Sequence, residues 1–123
     1  MIPPRPEIIF VAIGIVSIAA GLPLAGRRIR PNHWYGVRIR ETFGDEHIWY
    51  EVNAQAGRDL VVLGVVDLVV ALALPTGLPP ARYAGWAGAL FGAGALIVLI
   101  RSVALARRLW RERGSNPGPG EPR

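Results

Sequence analysis

Asp67 is the residue whose type and position point most directly to chemistry, because it interrupts the apolar run LVVLGVVDLVVALAL at residues 60–74. An acid near the middle of a membrane span costs several kcal/mol unless it is protonated, paired or hydrated. We therefore expect Asp67 to face the interior of a helix bundle or a partner. Two interpretations stay open: a contact with an ion, a proton or a partner, or a protonated acid hydrogen-bonded to Ser17 or to the backbone.

The remaining residue types give little support for catalysis or metal binding. Cysteine is absent, which excludes disulfides, thiolate catalysis and cysteine-based metal sites. His33 and His47 are fourteen residues apart, a separation that does not match a metal-site spacing. The sequence has no phosphate-binding glycine loop, serine elbow or zinc-helix motif. We expect a protein that is not an enzyme, with no catalytic residue, no cofactor and no metal.

Hydrophobic residues make up 51% of the 123 residues and fall in long uninterrupted blocks. Such blocks are typical of bilayer-spanning helices, which need about 20 residues each. We predict an all-α membrane protein with three transmembrane helices in a single domain. The spans are about 8–25, 58–75 and 83–105 within a domain of residues 1–113, followed by a disordered tail at 114–123.

The polar loop at residues 26–57 separates the first two spans. Within it, residues 45–56 place an apolar face on a helix, formed by Ile48, Trp49, Val52 and Ala56. This pattern predicts a cytoplasmic amphipathic helix at the membrane surface, feeding into the second span. Asp45 suits the start of that helix.

Several side chains of the same loop have expected surroundings. Aromatic rings suit the headgroup level of a membrane, which is where we expect Trp34, Tyr35, Trp49 and Tyr50. Arg38 and Arg40 alternate with apolar residues, so they point one way if the stretch is extended. We expect them to form salt bridges with three acids of the loop, Glu41, Asp45 and Glu46, with a bound carboxylate or phosphate as the alternative.

All 14 basic residues are arginines, and their distribution predicts the orientation of the chain. The N-terminal tail has one arginine, the first loop six when Arg58 directly after it is included, the second turn one and the C-terminal part six. This alternation predicts an external N-terminus, a cytoplasmic loop and a cytoplasmic C-terminus in a multi-pass protein of the cell membrane. Arginines beside apolar blocks favour anionic lipid headgroups as partners and argue against nucleic acid. A cleaved secretory signal is the alternative interpretation of the first span.

The third span carries small residues four positions apart. One row contains Ala84, Gly88 and Gly92, and the other contains Ala81, Gly85, Ala89 and Ala93. Small faces let helix backbones approach closely. We expect Gly85, Gly88 and Gly92 to pack against helices of the same chain, with a homo-oligomer as the alternative.

The loop also contains a longer ordered pattern: Pro31-Asn32, Trp34-Tyr35-Gly36-Val37-Arg38, Thr42, Asp45-Glu46, Trp49, Asn53 and Gly57. It resembles the SdpI family of bacterial membrane immunity proteins, which carry an N-x-[WY]-[WYF]-G-[IVF]-R run. In that family an acidic residue, a tryptophan, an asparagine and a glycine follow before a transmembrane helix. The chain departs from the pattern at Ile39-Arg40-Glu41, where members commonly have threonine-proline. It looks like the short, three-helix form of the family.

The resemblance implies protection of a cell from a secreted toxic peptide and, for some members, signalling by holding a transcriptional repressor at the membrane. The implied partner-binding residues are those of the pattern: Asn32, Trp34, Tyr35, Gly36, Arg38, Thr42, Asp45, Trp49, Asn53 and Gly57. The alternative is an accessory subunit of a larger membrane complex, a transporter or an enzyme assembly. Such a subunit would dock through the small-residue face and Asp67.

Overall fold

The computed structural model describes residues 5–74 and 77–115, and every regular element in these ranges is an α-helix, which confirms the predicted all-α class. The elements are α1 (Pro6–Ala25), α2 (Arg40–Gly44), α3 (Glu46–Ala73) and α4 (Pro80–Ser115). Predictions for the N-terminal tail at 1–4, the end of the second span at Pro75 and the tail residues 116–123 lie outside the described residues. Gly114 and Ser115, assigned to that tail, form the end of α4.

Two helices of the described chain, α1 and α4, are long and apolar enough to cross a membrane. The apolar half of α3 is not among them, since it carries Arg58, Asp59 and Asp67 within a short stretch. Composition therefore supports a membrane protein, while the predicted count of three spans is not confirmed.

Two pairs of glycines bring α1 and α3 into close antiparallel contact. A Cβ atom at Gly21 would lie 2.6 Å from the carbonyl oxygen of Gly57, and one at Gly14 would lie 2.9 Å from that of Gly64. Both distances are shorter than real Cβ contacts, so neither helix tolerates a side chain there. The seven-residue spacing is the same in both helices, and this keeps the glycines facing each other over two turns.

Helix α4 joins two buried clusters, one near its start and one near its end. Near its start, Tyr83 and Ala87 form a buried cluster with Phe10 of α1 and Ala71 of α3. Further along, Ala106 is buried against Ile48 and Val52 from the first turns of α3. With 36 residues, α4 is about 54 Å long, so it extends well beyond a hydrocarbon core of about 30 Å.

The predicted amphipathic segment is helical, but it is not a separate helix. Residues 46–73 form one continuous helix, and the face expected at the membrane surface is covered by the chain itself. Ile48 and Val52 are buried against α4, and Trp49 has no exposed surface. The distal half of α4 supplies the apolar surface that the sequence pattern assigns to lipid.

Two glycines of the small-residue rows in the third predicted span, Gly85 and Gly92, face away from the rest of the described chain. No described atom lies within 4 Å of a Cβ built at Gly85 or Gly92, and one at Gly88 would only touch Phe10 at 3.9 Å. The predicted packing within the chain is therefore not found for Gly85 and Gly92 among the described residues, and Gly88 has a single contact, with Phe10. The close contact of α4 with α3 uses Gly94 instead, where a Cβ would collide with Leu63.

Candidate functional site

The loop at 26–45, the first three turns of α3 and the last turns of α4 form one folded unit, which we call the head. Asn53 is its central polar residue, 2% exposed, and its Oδ1 accepts a hydrogen bond from the Val37 amide at 2.6 Å. Gly36 precedes this amide with φ +107, and a Cβ there would lie 2.6 Å from Asn53 Oδ1. The glycine is thus required both by its backbone conformation and by the approach of the asparagine.

Asn32 shapes the turn that leads into this contact. Its Oδ1 accepts hydrogen bonds from the amides of Trp34 at 2.8 Å and Tyr35 at 2.7 Å. Its Nδ2 donates to the Arg30 carbonyl at 2.8 Å. An asparagine that bonds to backbone groups two or three residues on holds a tight turn without a helix or strand.

Trp49 anchors the loop to α3 from inside the head. Its indole Nε1 donates to the Ile29 carbonyl at 2.9 Å, and the side chain is fully buried. This corrects its expected position at the headgroup level. Its ring contacts Phe43 at 5.7 Å between centroids, and Phe43 in turn contacts His33 at 5.2 Å.

Thr42 and Asp45 organise the short helix α2 and the start of α3. The Thr42 hydroxyl donates to the Val37 carbonyl and accepts from the Ile39 amide, both at 2.9 Å. Asp45 caps α3 by accepting from the Ile48 amide at 3.2 Å. The hydrogen bonds of the Thr42 side chain thus hold the bend of the loop at these residues.

The end of α4 closes the head. Arg113 forms an ion pair with Asp45, and the Trp110 ring lies so close to Gly44 that a Cβ there would be 2.6 Å from it. The Arg40 guanidinium lies 5.8 Å from the centroid of Trp110. The expected salt bridge from Arg40 to a loop acid is therefore replaced by a cation–π contact.

Arg38 also differs from the expectation. Its Nη1 donates to the His33 carbonyl, so the side chain folds back on its own loop. Gly57, another residue of the pattern, lies in the α1–α3 contact already described. Most of the predicted partner-binding residues therefore hold the head together.

Trp34 is the exception, because its side chain is 89% exposed on this well-braced loop. Phe43, at 45% exposure, adds apolar surface. Tyr35 is partly buried, and this burial raises the pKa of its phenol above the ordinary value. Within residues 5–74 and 77–115, no group of three histidines or acids could hold a metal ion.

Asp67 lies on the wall of a second feature, which we call the central cavity. This cavity of about 440 Å³ lies between residues 59–70 of α3 and residues 90–101 of α4. Asp67 is 5% exposed, and its Oδ2 has no hydrogen-bond partner among the described residues. The hydrogen bond of this atom to Ser17 or backbone, one of the two interpretations left open, is not present.

Some structurally decisive residues are missed by sequence reasoning. Arg101 is one of them, since its Nε donates a hydrogen bond to Asp59 Oδ2 on α3 at 2.7 Å. Gly14, Gly21 and Gly64 set the closest helix contact. Gly14 and Gly21 are seven residues apart, and so are Gly57 and Gly64. This shared spacing was a signal in the sequence for the contact.

Membrane-capable helices joined by a folded polar head define a class of helical integral membrane protein. The model of the SdpI/YfhL protein family matches residues 28–105, more than half of the chain. The chain belongs to this family. No curated protein and no solved structure matches it.

Proposed function

We propose that the chain crosses the membrane three times, with α3 as the second span. Helix α1 is apolar enough to cross a bilayer, and α3 follows it from Gly57 to Leu68 through the glycine contacts. A helix packed along a spanning helix shares its depth. Asp67 is the charged residue furthest from the ends of this proposed span, and it is buried within the bundle. Its burial lowers the free-energy cost of placing α3 in the bilayer.

The head and the C-terminus lie in the cytoplasm under this proposal, and the N-terminus lies outside. The arginine distribution supports this orientation, since the loop together with Arg58 and the C-terminal part each carry six arginines. The contact between the loop and the end of α4 supports their location on one and the same side, whichever side that is. Anionic headgroups are the lipid partners that suit these arginines.

The function that the site supports best is binding of a partner by the head, without chemistry. This binding would confer immunity to a toxic peptide, signalling through a cytoplasmic repressor, or both. The observation that carries the proposal is the exposed Trp34 on a loop whose other motif residues are internally satisfied. Rigid exposed tryptophans are common energetic centres of protein interfaces. Family membership supports the membrane role, and binding of nucleic acid is not part of the proposal.

Substitution of Trp34 by alanine tests this proposal. Cells that lack this protein are complemented with the wild-type or the Trp34→Ala protein. They are then challenged with peptides that related strains of the host secrete. We expect Trp34→Ala to lower survival at least tenfold, because an interface tryptophan contributes about 2 kcal/mol or more. Co-purification of soluble proteins with the membrane fraction, compared between the two strains, tests the signalling role.

Trp86→Ala is the matched control, since Trp86 is 65% exposed on α4, far from the head. It should protect as well as wild type. Equal survival with Trp34→Ala and Trp86→Ala, at equal protein levels, would show that the head is only a scaffold.

A second candidate is supported by the outward face of α4. Gly85 and Gly92 have no described neighbour and offer a surface for another transmembrane helix. This suits an accessory subunit of a larger membrane complex or a homo-oligomer. Purification in mild detergent distinguishes the two hypotheses. A large assembly that contains other proteins favours the accessory subunit, and a species that contains only this chain excludes the accessory subunit.

A further inference from the structure

The central cavity lies along the contact between α3 and α4, which meet at its wall through Leu63 and Gly94 and again on either side of it. Tyr83 donates a hydrogen bond to the Ala71 carbonyl at 2.8 Å beyond one end, and Ala106 packs against Ile48 and Val52 beyond the other. Between these contacts the walls are mainly valine, leucine, isoleucine and phenylalanine. The volume of about 440 Å³ is within the range of small-molecule sites.

The cavity contains one acid with a partner and one without. Asp59 is paired with Arg101, so its charge is compensated inside the chain. Asp67 is 95% buried, and its Oδ2 meets no donor among the described residues. An unpaired buried carboxylate is unfavourable, and a cation beside it would recover that cost.

The walls decide which kind of cation fits. A small inorganic cation needs about six oxygen ligands to replace its water. Aliphatic walls do not supply them, and the described residues contain no cluster of three metal-binding side chains. An organic cation keeps its charge dispersed over an apolar body and needs no such shell. Val62 and Val66, at 62% and 50% exposure, leave the cavity open on its lateral side, where a lipid-soluble molecule would enter.

We propose that the central cavity binds a lipophilic organic monocation, with its charge against Asp67 and its apolar body between α3 and α4. This site is separate from the head and goes beyond the partner-binding function. Failure of one proposal therefore leaves the other intact.

The test is equilibrium dialysis of the purified full-length chain in a neutral detergent. The probe is radiolabelled tetraphenylphosphonium, and tetraphenylborate serves as an anion of the same shape. We expect the cation to bind at one site per chain and the anion at least tenfold more weakly. Because both probes have the same apolar surface, the difference reports charge.

Two variants locate the site. Asp67→Asn keeps the shape and removes the charge, and we expect it to lower cation affinity at least tenfold. Val66→Phe fills the cavity without touching the acid and should weaken binding comparably. If Asp67→Asn fails to fold, as judged by helical circular dichroism, Val66→Phe and the two-probe comparison still decide the outcome.

Matched controls lie outside the cavity. Glu7→Gln removes another acid with an unpartnered buried oxygen, and Leu72→Phe enlarges an exposed side chain of α3. Both should bind the cation within twofold of wild type. Equal binding of the cation and the anion, unchanged binding in Val66→Phe, or no binding at all would overturn the proposal. The cavity would then hold only lipid chains beside a protonated Asp67.

Discussion

Asn53 shows how a polar residue of a motif can serve the fold. From the first turns of α3, its side chain reaches the loop at Val37 and the helix carbonyl of Trp49. The sequence correctly singled out this residue and its neighbours as a connected pattern. It suggested contact with a partner, because a single sequence does not tell whether a polar side chain points outward or back to its own backbone.

Replacement of Asn53 tests this role. Asn53→Ala leaves the Val37 amide without its acceptor, which should lower the free energy of unfolding by about 1–3 kcal/mol. The measurement is a denaturing-detergent titration of the purified chain, followed by circular dichroism. Gln55→Ala, two residues on and half-buried, should change stability by less than about 0.5 kcal/mol. Equal effects of both changes would contradict the bracing role.

At the scale of elements, the α1–α3 pair packs through glycines on both helices, whereas α4 meets α3 through Gly94 on one side only, against the Leu63 side chain. Gly14 and Gly21 face Gly64 and Gly57 with backbones almost in contact. The sequence drew attention to the glycines of α4, where small residues are most frequent. Frequency was a poor guide, because helix contact requires small residues on the facing side of both helices at the same spacing.

A pair of glycine-to-alanine changes tests this difference. Gly21→Ala should destabilise the chain by about 1–3 kcal/mol, since the added methyl meets the Gly57 carbonyl oxygen. Gly85→Ala adds the same methyl in open space and gains helix propensity of up to about 1 kcal/mol. The same detergent titration compares them. A loss of stability in Gly85→Ala alone would point to packing of α4 in an oligomer.

At the scale of the whole molecule, the long helices α3 and α4 build the head together with the loop. The sequence predicted a short amphipathic helix at the membrane surface over residues 45–56. The continuous α3 and the packing of Trp110 against Gly44 create a folded unit instead. A side chain introduced at Gly44 would collide with Trp110, so a probe of the orientation has to be placed elsewhere.

Single cysteines at exposed positions avoid that collision. His47→Cys lies on the exposed first turn of α3, and Gly77→Cys lies in the turn before α4, where no described atom is within 4 Å of a Cβ. An impermeant thiol reagent should label Gly77→Cys in intact cells and His47→Cys only after permeabilisation. The reverse pattern would place the head outside and make it a surface for extracellular peptides.

The sequence by itself determined the helical class, the membrane setting and the position of the motif loop. These follow from local properties, since long apolar blocks form helices in lipid whatever surrounds them. The tertiary structure decided that Trp49 is internal, that Arg101 reaches Asp59, and that Asp67 borders a cavity. Each of these depends on how two or three helices face one another. The relative orientation of the helices is set by close backbone contact at a few glycines. The hydropathy of single residues carries no information about that contact.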